Sequence, residues 1–297
     1  MTSPLTFGIP APNRRLPAGA HPGAVRLQVA DLARSRDYYQ RLLGLTVIDA
    51  GTAGARLGPA DRATVLVELV GRPGSRPVPR GGRLGLFHFA ILLPDRPALG
   101  RFAAHIARER IPFGSADHAV SEALYLTDPD GLGIEVYADR DRSTWRANGR
   151  ELHLTTEPLD LAGLASAGGA TRWAGMPAGT VMGHVHLHVG DLARAEAFYH
   201  AALGFDKTVW NYPGALFLAA GGYHHHLGTN TWAAGAARPG GDEARLLEWE
   251  LVLPAGGDVN AAGAELERQG FAIERRDAGF SVPDPWGTVV SVRCPRG

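Results

Sequence analysis

The chain repeats itself, and that repeat constrains the fold more than any other feature. Residues 24–45, AVRLQVADLARSRDYYQRLLGL, can be laid over residues 184–205, HVHLHVGDLARAEAFYHAALGF, at a constant offset. Val25, Leu27, Val29, Asp31, Leu32, Ala33, Arg34, Tyr39, Leu43 and Gly44 all recur. Each copy opens with apolar residues at alternate positions, which predicts a strand. Asp31 and Asp191 then stand where a helix is capped, and apolar residues follow at helical spacing. Gly44 and Gly204 occupy the place of a helix C-cap glycine.

A second pair lies further along. LFHFAILLPDRPAL (86–99) matches LLEWELVLPAGGDV (246–259), and LYLTDPDGLGIEVY (124–137) matches FSVPDPWGTVVSVR (280–293). The Asp-Pro-x-Gly in each predicts a turn between two strands. The chain therefore holds four copies of one unit: a strand, a helix, then two or three strands. They lie near 22–72, 84–140, 181–233 and 245–294. Self-similarity at this scale decides the architecture before any local detail does. The division predicted is an N-terminal arm at 1–21, a domain at 22–140, a Gly/Ala/Thr-rich connection at 141–180 and a second domain at 181–297. The arm, rich in Pro and Gly, is expected to be loosely ordered.

Composition removes several function classes. The 297 residues are 45% hydrophobic, enough for two domains with real cores. Thirty basic residues balance thirty acidic ones, which argues against a nucleic-acid or anionic-membrane partner. A single cysteine, Cys294, excludes an internal disulfide and a cysteine-cluster zinc site, and fits a cytoplasmic location. No run is long and apolar enough to span a membrane, and the first residues lack the apolar core of a signal peptide.

Four such units, with a histidine on the first strand and DPxGxxxE at the last, resemble the vicinal oxygen chelate superfamily. That group includes glyoxalase I, bleomycin-resistance proteins and type I extradiol dioxygenases. The strings FHFAILLPD, DHAVSEALYLTDPDGLGIE, GHVHLHV and GGYHHHLG are similar to the catechol 2,3-dioxygenase type. The resemblance implies an α+β fold, four βαβββ modules paired into two cupped mixed-sheet barrels. It implies a metal inside a cup, held by first strands and a last strand. It also implies an Fe(II) cofactor, with Mn2+, Zn2+ or Ni2+ as alternatives, and a small aromatic diol and O2 as reactants. A homodimer is expected.

Comparing the units slot by slot points to the ligands. The first-strand slot holds Ala24, His88, His184 and Glu248 in units one to four. The last-strand slot holds Glu135 in unit two and Ser291 in unit four, with Glu68 in unit one and His226 nearest it in unit three. His88, Glu135 and His184 make two imidazoles and one carboxylate, the donor set of a non-haem Fe(II) site with open positions. This set requires units two and three to face each other and leaves units one and four as the other pair. His184, His226 and Glu248 form a competing set built from units three and four.

The run His224-His225-His226 is read as the end of a strand. Alternation then puts His224 and His226 on the metal side and turns His225 away. His226, with His224 beside it, is assigned the acid/base work of ring opening, or else a fourth ligand position. Tyr137, two residues from Glu135, is assigned as a hydroxyl donor to bound oxygen, or else as a core tyrosine. His118 either reaches the substrate or is a solvated loop residue. His186 and His188 share the parity of His184 and either pack or hydrogen-bond beside it. Trp210, Trp232 and Trp249 either line an aromatic-binding pocket or fill the core. Two further functions remain open at this level: a glyoxalase-like isomerase or lyase, and a metal-free binder of small molecules.

Overall fold

The computed structural model describes residues 6–62 and 64–295. Each unit folds as strand, helix and three strands. Unit one comprises His21–Val29, a helix from Leu32–Asp37 continuing through a π-helical stretch at Tyr38–Leu42, then Thr46–Ala50, Gly54–Gly58 and Val67–Gly71. Unit two comprises Gly85–Leu92, helix Arg96–Arg108, Gly114–Asp117, Ser121–Thr127 and Gly133–Asp139. Unit three comprises Val181–His188, helix Leu192–Ala195 with a π-helical stretch at Glu196–Ala202, then Asp206–Val209, Ala215–Ala219 and Leu227–Asn230. Unit four comprises Arg245–Val252, helix Gly256–Arg268, Glu274–Arg276, Gly279–Pro283 and Val289–Arg293.

Units one and four form one eight-stranded sheet, the outer sheet, and units two and three form the other, the inner sheet. In both, the first strands of the two units meet antiparallel at the centre. Each first strand pairs in parallel with the fourth strand of its own unit. The fold is the expected α+β arrangement of paired βαβββ modules, and each sheet takes one unit from either side of residues 141–180.

Alternation along the first strands divides core from cup. Val25, Leu27, Phe89, Ile91, Val185, Leu187, Trp249 and Leu251 enter a single apolar core that both sheets share. Their even-numbered neighbours, including His88, His184, His186 and Glu248, lie on the opposite faces. Trp249 is thus a core residue, and Trp210 packs half-buried against the same core. The helices of units one and three begin at the predicted caps: Asp31 accepts from the Arg34 amide at 3.0 Å and Asp191 from Arg194 at 2.8 Å, and in unit two Asp95 accepts from Ala98 at 2.7 Å.

Gly204 explains an unexpected feature of the N-terminal arm. It ends its helix at φ 102°, and a Cβ there would stand 2.5 Å from the Arg14 carbonyl. The arm runs across this bare backbone. Leu16 donates to the Gly204 carbonyl at 2.8 Å, Ile9 to Lys207 at 2.8 Å, and Leu16 and Ala20 are buried. From residue 6 onward the arm is therefore packed down, where composition predicts loose order. Residues 1–5 lie outside the described residues. The connection at 141–180 is structured too, with a short hairpin (Ala147–Asn148 and Glu151–Leu152) and a helix, Leu161–Gly168. Among the described residues no helix is long and apolar enough to cross a membrane.

Candidate metal centre

His88, Glu135 and His184 come together at the centre of the inner sheet. In the antiparallel register of the two first strands, His186 stands opposite His88 and His184 opposite Ala90. Ala90 in turn stands beside Glu135 on the parallel fourth strand. A methyl group at position 90 leaves the side chains of His184 and Glu135 free to meet over it. His184 Nε2 lies 3.0 Å from Glu135 Oε2, and His88 Nε2 lies 2.9 Å from the same oxygen. One donor atom from each of the three residues lies within 4.8 Å of the others.

All three side chains are buried. Burial opposes the charge on Glu135, but His184 and His88 outweigh it and hold the carboxyl well below the usual carboxylate range. Burial lowers His184 to about 4, with Glu135 offsetting part of the effect. At neutral pH the set is a carboxylate with a neutral imidazole at its side, the protonation state in which such groups bind metal. The geometry also leaves a donor atom idle. His88 Nε2 is buried and close to Glu135 yet makes no hydrogen bond. Three converging N and O donors with an unpartnered imidazole nitrogen fit a divalent cation.

A pocket opens over these residues. It is lined by Phe87, His118, Tyr125, His186, Phe217, His225 and Trp232, closed in by Leu154, Thr156 and Tyr212. His118 is fixed from both sides. Its Nδ1 donates to the Thr155 carbonyl at 2.6 Å, so its Nε2 accepts from the Tyr125 hydroxyl at 2.5 Å. His186 is held by Asn230, whose amide lies 3.0 Å from its Nε2 and whose carbonyl oxygen accepts from His188 Nδ1 at 2.7 Å. The second and third histidines of HVHLHV, on the same strand as His184, are therefore both held by Asn230. Trp232 stands half-exposed at the lip, edge-on to Phe87 at 5.5 Å.

The run 224–226 is placed differently from the sequence-based reading. Gly221 and Gly222 both have positive φ, 63° and 70°, and the strand begins only at Leu227. The three histidines lie in a bend, so strand parity does not apply to them. His225 lines the pocket, with its ring 4.1 Å from that of His184. His226 faces the other way, beside Ala18, His21 and Arg142, and its Nδ1 accepts from the Ala220 amide at 3.2 Å. His224 lies behind the pocket against Asp139 at 2.9 Å. Tyr137 is fully buried, packs its ring on His184 at 4.9 Å, and shares a 2.7 Å hydrogen bond with Tyr223. Neither His226, His224 nor Tyr137 reaches the pocket. Glu248 belongs to the outer sheet and pairs with Arg276 at 3.0 Å, so the competing ligand set is not assembled.

Sequence reasoning missed His225, Tyr125, Leu154, Thr156 and Tyr212 as pocket residues. The Gly-Gly before the histidines is a turn signal that points to His225. Nothing local marks Leu154 or Thr156, which reach the pocket from the connecting segment.

Residues 21–136 and 181–290 match the Glyoxalase/Bleomycin resistance protein/Dioxygenase superfamily. Over 269 residues the chain is 43% identical to a protein of Bacillus subtilis (strain 168) named catechol-2,3-dioxygenase, covering 89% of this chain and 94% of that one. A provisionally assigned dioxygenase from Bacillus subtilis superposes with a TM-score of 0.65 at 13% identity, over 95% of this chain and 87% of the other. Glyoxalase I from Zea mays superposes with a TM-score of 0.54 at 20% identity, over 93% and 92%. These two likenesses bear on the fold. With matched segments in both halves and a relative this similar over nearly its whole length, the chain belongs to the glyoxalase/bleomycin resistance protein/dioxygenase superfamily.

Proposed function

We propose that this protein is an extradiol ring-cleaving dioxygenase that holds Fe(II) on His88, Glu135 and His184 and opens catechol-like diols with O2. The observation that carries the reading is the convergence of two imidazoles and one carboxylate beneath a largely apolar pocket. That donor set on one side of an ion leaves open positions for two adjacent phenolic oxygens and O2, and belongs to non-haem Fe(II) oxygenases. When bound, the iron supplies Lewis-acid polarisation of the diol and a template that brings diol and O2 together. The name of the Bacillus subtilis relative supports the same chemistry.

The remaining work falls to the side chains that line the pocket. Phe87, Phe217 and Trp232 give the ring an aromatic enclosure, which orients it and keeps out water. His225 takes the acid/base position that strand parity assigns to His226, because its ring is the one that lines the pocket beside the ligands. Tyr125 and His118 form a hydrogen-bonded pair in the pocket lining, which fixes the Tyr125 ring beside His88 and shapes the space the diol enters.

The test is anaerobic loading with Fe(II), then addition of catechol and O2. The expected result is a yellow ring-opened product with one O2 consumed per diol. Zinc or nickel binding without diol-dependent O2 uptake would overturn the proposal. His88→Ala should bind less iron and lose the activity while keeping its fold by circular dichroism.

A further inference from the structure

A line of hydrogen bonds leads from the pocket to the protein surface through the histidine run. His225 Nδ1 lies 2.7 Å from His224 Nδ1. His224 Nε2 lies 2.9 Å from Asp139 Oδ1, the oxygen to which the Tyr223 hydroxyl also donates at 3.1 Å. His224 is fully buried, whereas the Asp139 side chain is 27% exposed and ends the line at solvent.

Asp139 decides the direction of every bond. A carboxylate accepts and cannot donate, so the proton between it and His224 sits on Nε2. With one proton on each ring, His224 Nδ1 is then an acceptor. His225 Nδ1 must donate to it, and His225 Nε2 is left bare. Which nitrogen of a histidine carries the proton is set by the partner of the other nitrogen. His225 Nε2 makes no hydrogen bond among the described residues, and the ring that carries it lines the pocket. His118 offers no such nitrogen, since both of its own are engaged.

We infer that Asp139 and His224 are positioning residues that lock His225 in its Nδ1–H tautomer, so that its Nε2 lone pair is offered to a hydroxyl of the bound diol. The logic matches a carboxylate orienting a catalytic imidazole, extended by one ring. The last clause rests on the proposed diol chemistry; the tautomer is a property of the protein alone.

Histidine 15N NMR on the metal-free protein at about pH 8 reads the tautomer directly. His225→Gln identifies the His225 signals. The expected result is a protonated Nδ1 and bare Nε2 at His225 in the wild type and in Asp139→Asn, whose amide oxygen can still accept from His224. His224→Phe and Asp139→Ala should shift the His225 proton towards Nε2. A wild-type His225 protonated on Nε2, or the same tautomer in wild type and His224→Phe, overturns the inference. On the iron-loaded enzyme, His224→Phe should lower kcat about 10- to 100-fold with KM within about 2-fold. An unchanged kcat in a variant whose tautomer has moved overturns the pocket role. If the tautomer is as stated and neither protein opens a diol, the functional proposal fails and the tautomer assignment stands.

Discussion

The hydroxyl of Tyr39 donates to the carboxyl of Asp128 at 3.1 Å, tying the helix of unit one to the DPDG turn of unit two. The repeat reproduces the bond. Tyr199 of unit three donates to Asp284 in the DPWG turn of unit four at 2.9 Å. Each pair bridges the two sheets, because each unit that supplies the tyrosine belongs to a different sheet from the unit that supplies the turn.

This buried carboxyl makes stability depend on pH. Burial raises Asp128 from 3.8 to about 6, against the lowering effect of the Leu132 and Asp130 amides. The protonated form is favoured in the folded state. Its contribution is present in full below the unfolded value of 3.8 and is lost as pH rises through 6. Above that the ionised group costs about 3 kcal/mol. Asp128→Asn keeps an acceptor for both amides and removes the charge. It should unfold at higher urea than wild type at about pH 8, with the gain vanishing near pH 4. A variant less stable at every pH would show that the carboxylate is favoured in the fold.

Metal binding should stabilise the folded chain through the three proposed ligands. At a free Fe(II) concentration about 100 times Kd, the gain is about 2.7 kcal/mol, seen as a higher Tm in an anaerobic melt. Glu135→Gln removes the charge on which both histidines converge and should abolish most of that rise. Adding a chelator to the loaded wild type should return its Tm to the metal-free value.

The pocket carries no lysine or arginine among its described lining residues. A diol bearing a carboxylate would bury that charge unpaired, which is costly. Relative to catechol, kcat/KM for 3,4-dihydroxyphenylacetate should fall about 100-fold. Leu154→Arg, at the pocket wall, should narrow the gap by about 10-fold. Equal rates for the two substrates in the wild type would contradict the argument.

Gly100 lies where two helices touch. A Cβ on it would stand 2.2 Å from the Leu164 carbonyl and 2.7 Å from the Gly168 amide. Gly100→Ala should therefore destabilise the fold by about 2–4 kcal/mol, measured by denaturant midpoint. It pushes on the helix that follows Leu154 and Thr156, so KM for catechol should rise as well.

What the sequence discloses depends on how local the cause is. Alternation in HVHLHV separates the cup face from the core face, and the offset between repeats supplies the four units. Parity alone does not distinguish His184 from His186. The distinction comes from Ala90 clearing a space and from Asn230 holding a ring, both on other strands. His225 is misread because two glycines in the left-handed region turn the chain before the strand begins. Leu154, Thr156 and Tyr212 meet across long sequence separations, with Tyr212 and Thr156 joined hydroxyl to hydroxyl at 2.8 Å. No periodic pattern encodes such a contact.

The pairing of inner with inner and outer with outer has a consequence for synthesis on the ribosome. Once residue 230 has emerged, all eight strands of the inner sheet exist, but the outer sheet has only its first four. The strand His21–Val29 must wait for Arg245–Val252, its antiparallel neighbour, with one edge bare in the meantime. A nascent chain stalled in that interval would already hold His88, Glu135 and His184, yet would remain the species most prone to aggregate and most in need of a chaperone.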